Sequence, residues 1–195
     1  MNKSAITKIV AGSAVAVAGA SSGASAQENL EGFYIGGSLS MPQGGSYDGY
    51  DGGTYTDESG VAGLFGGYNF VSGNLVYGVD VAIHSGIDLD TGYADNLKGL
   101  TDVRGRIGTV FGNTFVYASV GYSFVDLGNP DTSEDDYNLG SDSGLSLGLG
   151  FETSLSDNMF VGFDYTHRKL DREWVEDKFE ARDLNTATLR VGFRF

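Results

Sequence analysis

Cysteine is absent from this chain, and proline occurs only twice. Without thiols there is no disulfide framework, no thiolate metal centre and no redox pair, so stability must come from a sheet or core that closes on itself. Basic residues are scarce: 12 Lys and Arg face 26 Asp and Glu, a formal net charge of -14. Such a balance repels phosphate backbones and speaks against nucleic acid as a partner. Long apolar runs are missing as well. Beyond the first residues nothing approaches the ~18 to 20 continuous apolar residues of a membrane helix, which excludes a helical membrane protein but not one built from strands. Histidine occurs twice, which limits acid-base chemistry to few candidates.

The chain begins with "MNKSAITKIVAGSAVAVAGASSGASAQ". Lys3 and Lys8 form a positive leader, Ile9 to Ala20 an apolar stretch, and Ala24-Ser25-Ala26 an A-x-A site. The pattern predicts a secretory signal peptide over residues 1–26, cut after Ala26, and one exported domain over 27–195. With 31 glycines and 12% aromatics, that domain reads as all-β, because glycine weakens helix interiors and aromatics favour strands.

Two-residue alternation recurs from Gly32 to the end. The in-phase apolar sets are Phe33, Ile35, Leu39, Met41; Ala62, Leu64, Tyr68, Phe70; Leu75, Tyr77, Val79, Val81, Ile83; and Val103, Ile107, Thr109, Phe111. They continue as Val116, Ala118, Val120, Tyr122, Phe124; Leu145, Leu147, Leu149, Phe151; Met159, Val161, Phe163, Tyr165; and Leu189, Val191, Phe193, Phe195. Eight strands follow, joined alternately by short and long connections. The short ones are Val71 to Asn74, Gly112-Asn113 and Ser156 to Asn158, rich in residues that tolerate tight-turn dihedrals. The long ones are Pro42 to Glu58, Ser85 to Asn96, Leu127 to Asp142 and Lys169 to Leu184. Short turns on one rim and long loops on the other is the plan of an eight-stranded antiparallel transmembrane barrel, an up-and-down meander, with strands near the ~9 to 11 residues that cross a bilayer.

A soluble barrel around a ligand would show the same alternation with its faces reversed. Three features favour apolar residues facing outward. The opposite faces carry Asp80, Asp102, Glu152 and Asp164 with Arg104, Arg106, Arg168, Arg190 and Arg194. Acids and bases nearly balance there and every base is arginine, whose planar fork pairs two carboxylate oxygens in a narrow space. Aromatics gather toward strand ends, as with Phe33, Tyr34, Phe70, Phe111, Tyr122, Phe124, Phe160 and Phe195, in the manner of interfacial girdles. Small residues such as Gly36, Ser38, Gly78, Gly108, Ser119, Gly121, Gly148, Gly150 and Gly162 share the charged face and leave room for long side chains. An arginine turned outward at the bilayer midplane would instead cost about 2–4 kcal/mol.

The segments "GLTDVRGRIGTVFGNTFVYASVGYSF", "LGLGFETSLSDNMFVGFDYTHRKL" and "LRVGFRF" resemble small outer-membrane barrels of the OmpA/OmpX-type "porin family" of Gram-negative α-proteobacteria, over the whole exported part. The resemblance implies an outer-membrane location, lipid and lipopolysaccharide as surroundings, and insertion by the barrel-assembly machinery reading a terminal aromatic signal, here Phe193 and Phe195. Full-length OmpA proteins append a peptidoglycan-binding domain; this sequence ends at Phe195 without one, so a tether to the cell wall is not expected.

Chemistry has few footholds. In "IHSG", Ser85 stands beside His84, but neighbouring strand residues face opposite ways and no carboxylate is placed to orient the pair, so a lipid-modifying hydrolase is not expected. His167 is in phase with the lipid-facing set. The acidic pairs and runs Asp88-x-Asp90 and Glu134-Asp135-Asp136 lack calcium-loop spacing and read as hydrated loop, with metal-bridged contact to lipopolysaccharide as the lesser alternative. The last long loop carries Trp174, Val175 and Phe179 and suits a short rim helix or an adhesive tip. "GLFGG" and "LGLG" precede no helix and are strand glycines rather than a nucleotide loop. The expectation is a barrel without catalytic, metal or cofactor site, with a structural or surface-binding role; a narrow passive pore is the alternative.

Overall fold

A computed structural model describes residues 30–47, 53–55, 60–88, 96–128, 141–172 and 180–195. The strands are β1 (Gly32–Tyr47), β2 (Gly53–Tyr55), β3 (Val61–Ser72), β4 (Leu75–Asp88), β5 (Asn96–Phe111), β6 (Thr114–Gly128), β7 (Ser141–Ser154), β8 (Met159–Arg172) and β9 (Glu180–Arg194). From β3 to β9 each pairs antiparallel with the next, β3 pairs with β1, and β1 closes the ring on β9. Closure leaves no unpaired edge for lipid to meet. The wall therefore has eight strands. The ninth, β2, is three residues long and pairs only with the outer end of β1, from Gly45↔Tyr55 to Tyr47↔Gly53.

Register fixes the shape. From His167 the ladder passes through Leu147, Val120, Gly105, Val79, Tyr68 and Phe33 to Phe195, whose N–H donates to the Phe33 carbonyl at 2.9 Å. Extending the pair Met159↔Phe193 by two residues along each strand brings the path back to the β8 side at Asp157, ten residues below its start. A shear of ten over eight strands tilts them by about 40°, with strands ~4.8 Å apart and ~3.3 Å of rise per residue.

Strand length departs from expectation. The wall strands run to 12–16 residues, not 9 to 11. The excess lies in segments read as long loops: β1 continues to Tyr47, β4 to Asp88, β5 starts at Asn96, β6 reaches Gly128, β7 starts at Ser141, and β8 and β9 meet across Arg172↔Glu180. Fourteen residues at this tilt rise about 35 Å, roughly 10 Å more than the apolar band of an outer-membrane barrel. The ladder thus continues beyond the membrane. Residues 173–179, with Trp174, Val175 and Phe179, lie outside the described residues, as do the signal segment with Ala26, Asp90 and Glu134 to Asp136.

The short rim follows its turn chemistry. Gly73 and Gly112 hold φ of 58° and 62°, the left-handed region a side chain resists, each followed by asparagine. Across the wall the apolar sets face out: Leu64, Leu149 and Phe33 are 69%, 67% and 66% exposed, while Phe115 and Phe160 inside are fully buried.

Candidate functional site

Strand parity sends every second side chain inward, and tilt stacks the inward set into levels. In the inner level, nearest the short turns, Glu152 accepts from Arg106 Nη1 at 2.6 Å and from Arg194 Nη2 at 3.0 Å. Arg106 also donates from Nε and Nη2 to Asn69 Oδ1 at 3.0 and 2.9 Å, and Asn69 Nδ2 donates to the Leu30 carbonyl. Aromatic faces cover these cations: Arg106 lies 4.2 Å from the Tyr34 ring centre, and Arg194 the same distance from that of Phe160.

The middle level is a four-membered charge ring. Asp80 pairs with Arg104 Nη2 at 2.5 Å and Arg190 Nη2 at 2.6 Å, and Asp164 with their Nη1 atoms at 3.1 and 3.2 Å. Tyr34 and Tyr117 hydroxyls donate to Asp80 and Asp164. In the outer level Arg168 clamps Asp102 with Nε at 2.9 Å and Nη2 at 2.6 Å, and Ser123 donates to the same carboxylate.

All nine charged residues singled out in the sequence thus face the lumen, each at most 5% exposed, and each meets an opposite charge. Asp142, placed by the sequence reading in a loop, is a further inward acid at 2% exposure. With it the described lumen balances five carboxylates against five guanidinium groups. Pairing and hydrogen bonding are what allow buried charges to be kept at all.

Apolar side chains gather at both ends of this polar column, with Asp142 beside Val125 at the outer one. At the inner end Leu30, Val76, Phe115 and Tyr117 cluster, with Val71 and Val110 against them. Leu100, Val125, Leu170 and Leu184 are buried two residues outward of Asp102, Ser123, Arg168 and Thr186. The sequence reading assigned none of these to the interior, although parity with Asp102, Arg168 and their neighbours carries the signal.

Tyr34 and Phe160 correct the reading of a strand-end girdle. Both point inward, at 3% and 0% exposure, because each sits one residue out of phase with the lipid set. Gly67 and Gly192 make room for them: a Cβ at Gly67 would strike the Tyr34 hydroxyl, and one at Gly192 would come 2.5 Å from Phe160 Cζ. Along the short-turn rim outward rings adjoin, Phe33 edge-on to Tyr68 at 4.7 Å, Tyr68 tilted against Phe70 at 4.7 Å and Phe70 stacked on Tyr77 at 5.4 Å, while Tyr122 and Phe124 meet edge-on at 5.4 Å farther up β6.

His84 is a second correction. Its neighbour Ser85 turns outward and donates to the Ala62 carbonyl. The fold, however, brings a carboxylate to it: Asp102 Oδ2 lies 3.7 Å from His84 Nε2, and Ser40 Oγ 3.3 Å from Nδ1. Sequence neighbours could not supply these partners, since they come from β5 and β1. The three do not form a nucleophilic triad. Ser40 is 2% exposed and leans on Thr188, and Asp102 is already held by Arg168 and Ser123. His167 lies on the outer surface of β8, its Nδ1 2.8 Å from Asn185 Oδ1 across the β8–β9 ladder. Among the described residues no group of three or more potential ligands gathers for a metal.

A 22 kDa outer membrane protein of Rhizobium leguminosarum bv. viciae is 29% identical over 172 residues, spanning 85% of this chain and 78% of that protein. Ail, the attachment invasion locus protein of Yersinia pestis, superposes with a TM-score of 0.53 at 14% identity, over 85% of this chain and all of its own. Neisserial surface protein A does so at 0.50 and 13% identity, over 83% and 95%. At such identities the two structures establish the fold alone. The sequence pattern of the family described as "Outer membrane protein beta-barrel domain" matches residues 12–195, nearly the whole chain. With a closed eight-stranded meander whose apolar face is outside and whose charges are inside, this chain belongs to that family and resides in the outer membrane.

Proposed function

We propose that the protein is a closed structural and surface-interaction barrel, neither a solute channel nor an enzyme. The observation that carries this reading is the lumen. Three charge levels fill its cross-section between two apolar ends, and the cavity between the middle and outer levels has a volume of about 10 Å3, enough for about one water. An ion would have to open paired guanidinium and carboxylate groups and then pass the apolar side chains of Leu30 or Leu184.

Strands that outrun the bilayer, with acidic stretches such as "NPDTSEDDYNLG" between them in sequence, suit a surface platform for a still unidentified ligand. Outer-membrane lipid and lipopolysaccharide are the immediate partners: His167, Asn185 and Lys169 sit on the outward face of β8 and β9, at the level where the apolar band ends. Phe193 and Phe195 serve recognition by the assembly machinery. No nucleic acid and no cofactor enter this scheme.

Planar-bilayer recording on purified, refolded protein tests the reading. At most brief, small openings are expected; large and steady conductance from a monomer would replace it with a narrow passive channel.

A further inference from the structure

Among the described buried donors that meet no protein acceptor, three belong to residues around one cavity: Ser38 Oγ, Arg104 Nε and Arg190 Nε. Their side chains are 7%, 5% and 1% exposed, and all three line the same cavity, between the middle and outer charge levels. A guanidinium N–H left unmet in a low-dielectric interior is costly, and two of them with a hydroxyl around one space select for an acceptor. Size narrows the choice, since about 10 Å3 admits one water-sized group. Charge narrows it further. Asp102 and Asp164 border the same cavity and oppose a halide, while Arg104, Arg168 and Arg190 oppose a cation. A neutral group that both accepts and donates suits guanidinium and carboxylate walls alike.

The position also matters. Among the described side chains the hydrogen bonds of Asp80 and Asp164 stay within the middle level, and those of Asp102 stay with Arg168 and Ser123. No direct hydrogen bond among them joins the two levels. We propose that this cavity is a binding site for a single ordered water, which accepts from Arg104 Nε and Arg190 Nε, donates toward Asp164 and Asp102, and ties the two charge levels into one unit. The proposal rests on the closed lumen argued above.

The test is nuclear magnetic resonance on the full chain refolded in detergent micelles, with arginine labelled by nitrogen-15. The Hε protons of Arg104 and Arg190 should show cross-peaks to water with the sign of a long-lived contact. Ala82 borders the cavity without taking part in the charge network, so Ala82→Val should fill it and abolish both peaks. Should that variant fail to fold, the same wild-type spectra recorded with chloride exchanged for bromide still decide: unchanged Hε positions support water, and displaced ones overturn it in favour of an anion. Absence of both cross-peaks in the wild type, or their persistence in folded Ala82→Val, also overturns the site. Steady conductance alongside intact long-lived cross-peaks would sink the closed lumen while leaving the water in place, whereas short-lived contacts at both protons would sink the water alone.

Discussion

A guanidinium that loses its carboxylate inside an eight-stranded barrel has no solvent to turn to. Asp102 satisfies Arg168 through both oxygens, and both side chains are at most 2% exposed. Removing one partner of such a pair leaves an uncompensated buried charge, whereas replacing both by apolar groups of similar volume is often near neutral. Asp102→Asn should therefore lower the unfolding free energy by about 3–5 kcal/mol in denaturant titrations in detergent. The double change Asp102→Leu with Arg168→Met should stand closer to wild type than either single change; a double variant as unstable as the sum of its singles would mean the charges themselves hold the barrel together. The inward orientation of both residues was legible in the sequence, because Asp102 and Arg104 alternate with Val103 and Gly105. Their partnership was not. Asp102 meets Arg168 across β6 and β7 through the shear of the whole ladder, a quantity that local periodicity does not contain. The same gap hid Ser40 and Asp102 from His84. Tyr34 and Phe160 differ from the girdle expectation for another reason: parity, not closeness to a strand end, decides which way a ring points.

At the scale of the strand and its turn, the two rims obey different rules. On the inner rim Gly112 occupies φ 62° with open space around the position of a Cβ, so Gly112→Ala tests conformation without collision. It should cost about 1 kcal/mol, the left-handed penalty of an L-residue, read as a lower denaturant midpoint with unchanged slope. No loss would indicate that the β5–β6 turn can relax into another type. These turns were legible from "GN" because a tight turn demands particular residues. On the outer rim the strands were underestimated, and the reason lies in the solvent. Inside the bilayer each outward position must be apolar, so strand and alternation coincide. Once β8 rises past Tyr165 its outward positions become His167 and Lys169, and the pattern fades although the ladder runs on to Arg172. The inward set keeps its apolar signature there, as Leu170 and Leu184. The proline-bearing β1 shows a local exception, a register shift between Pro42 and Gly45 where one ladder donor is missing.

For the molecule as a whole, closing the ring and reaching the membrane are separate problems, and Phe195 separates them. Its N–H donates to Phe33 at 2.9 Å and helps close the seam between β1 and β9, but its ring is 78% exposed. The backbone bond survives a change of side chain, and no buried contact is lost. Phe195→Ala should accordingly leave stability in detergent within about 0.5 kcal/mol of wild type, the range of surface substitutions. Both proteins should also show the same heat-modifiable migration on a gel, since a closed ladder opens only as a unit. In cells the outcome should differ. If Phe195 is read by the assembly machinery before the barrel closes, the variant's level in the outer membrane should fall several-fold while its export continues. Phe193→Ala should act in the same direction with a small stability loss added, since that ring is half-buried between Ile35 and Met159 on the neighbouring strands. Equal outer-membrane levels of Phe195→Ala and wild type would assign the terminal aromatic to the lipid interface alone and leave the insertion signal elsewhere on the strand.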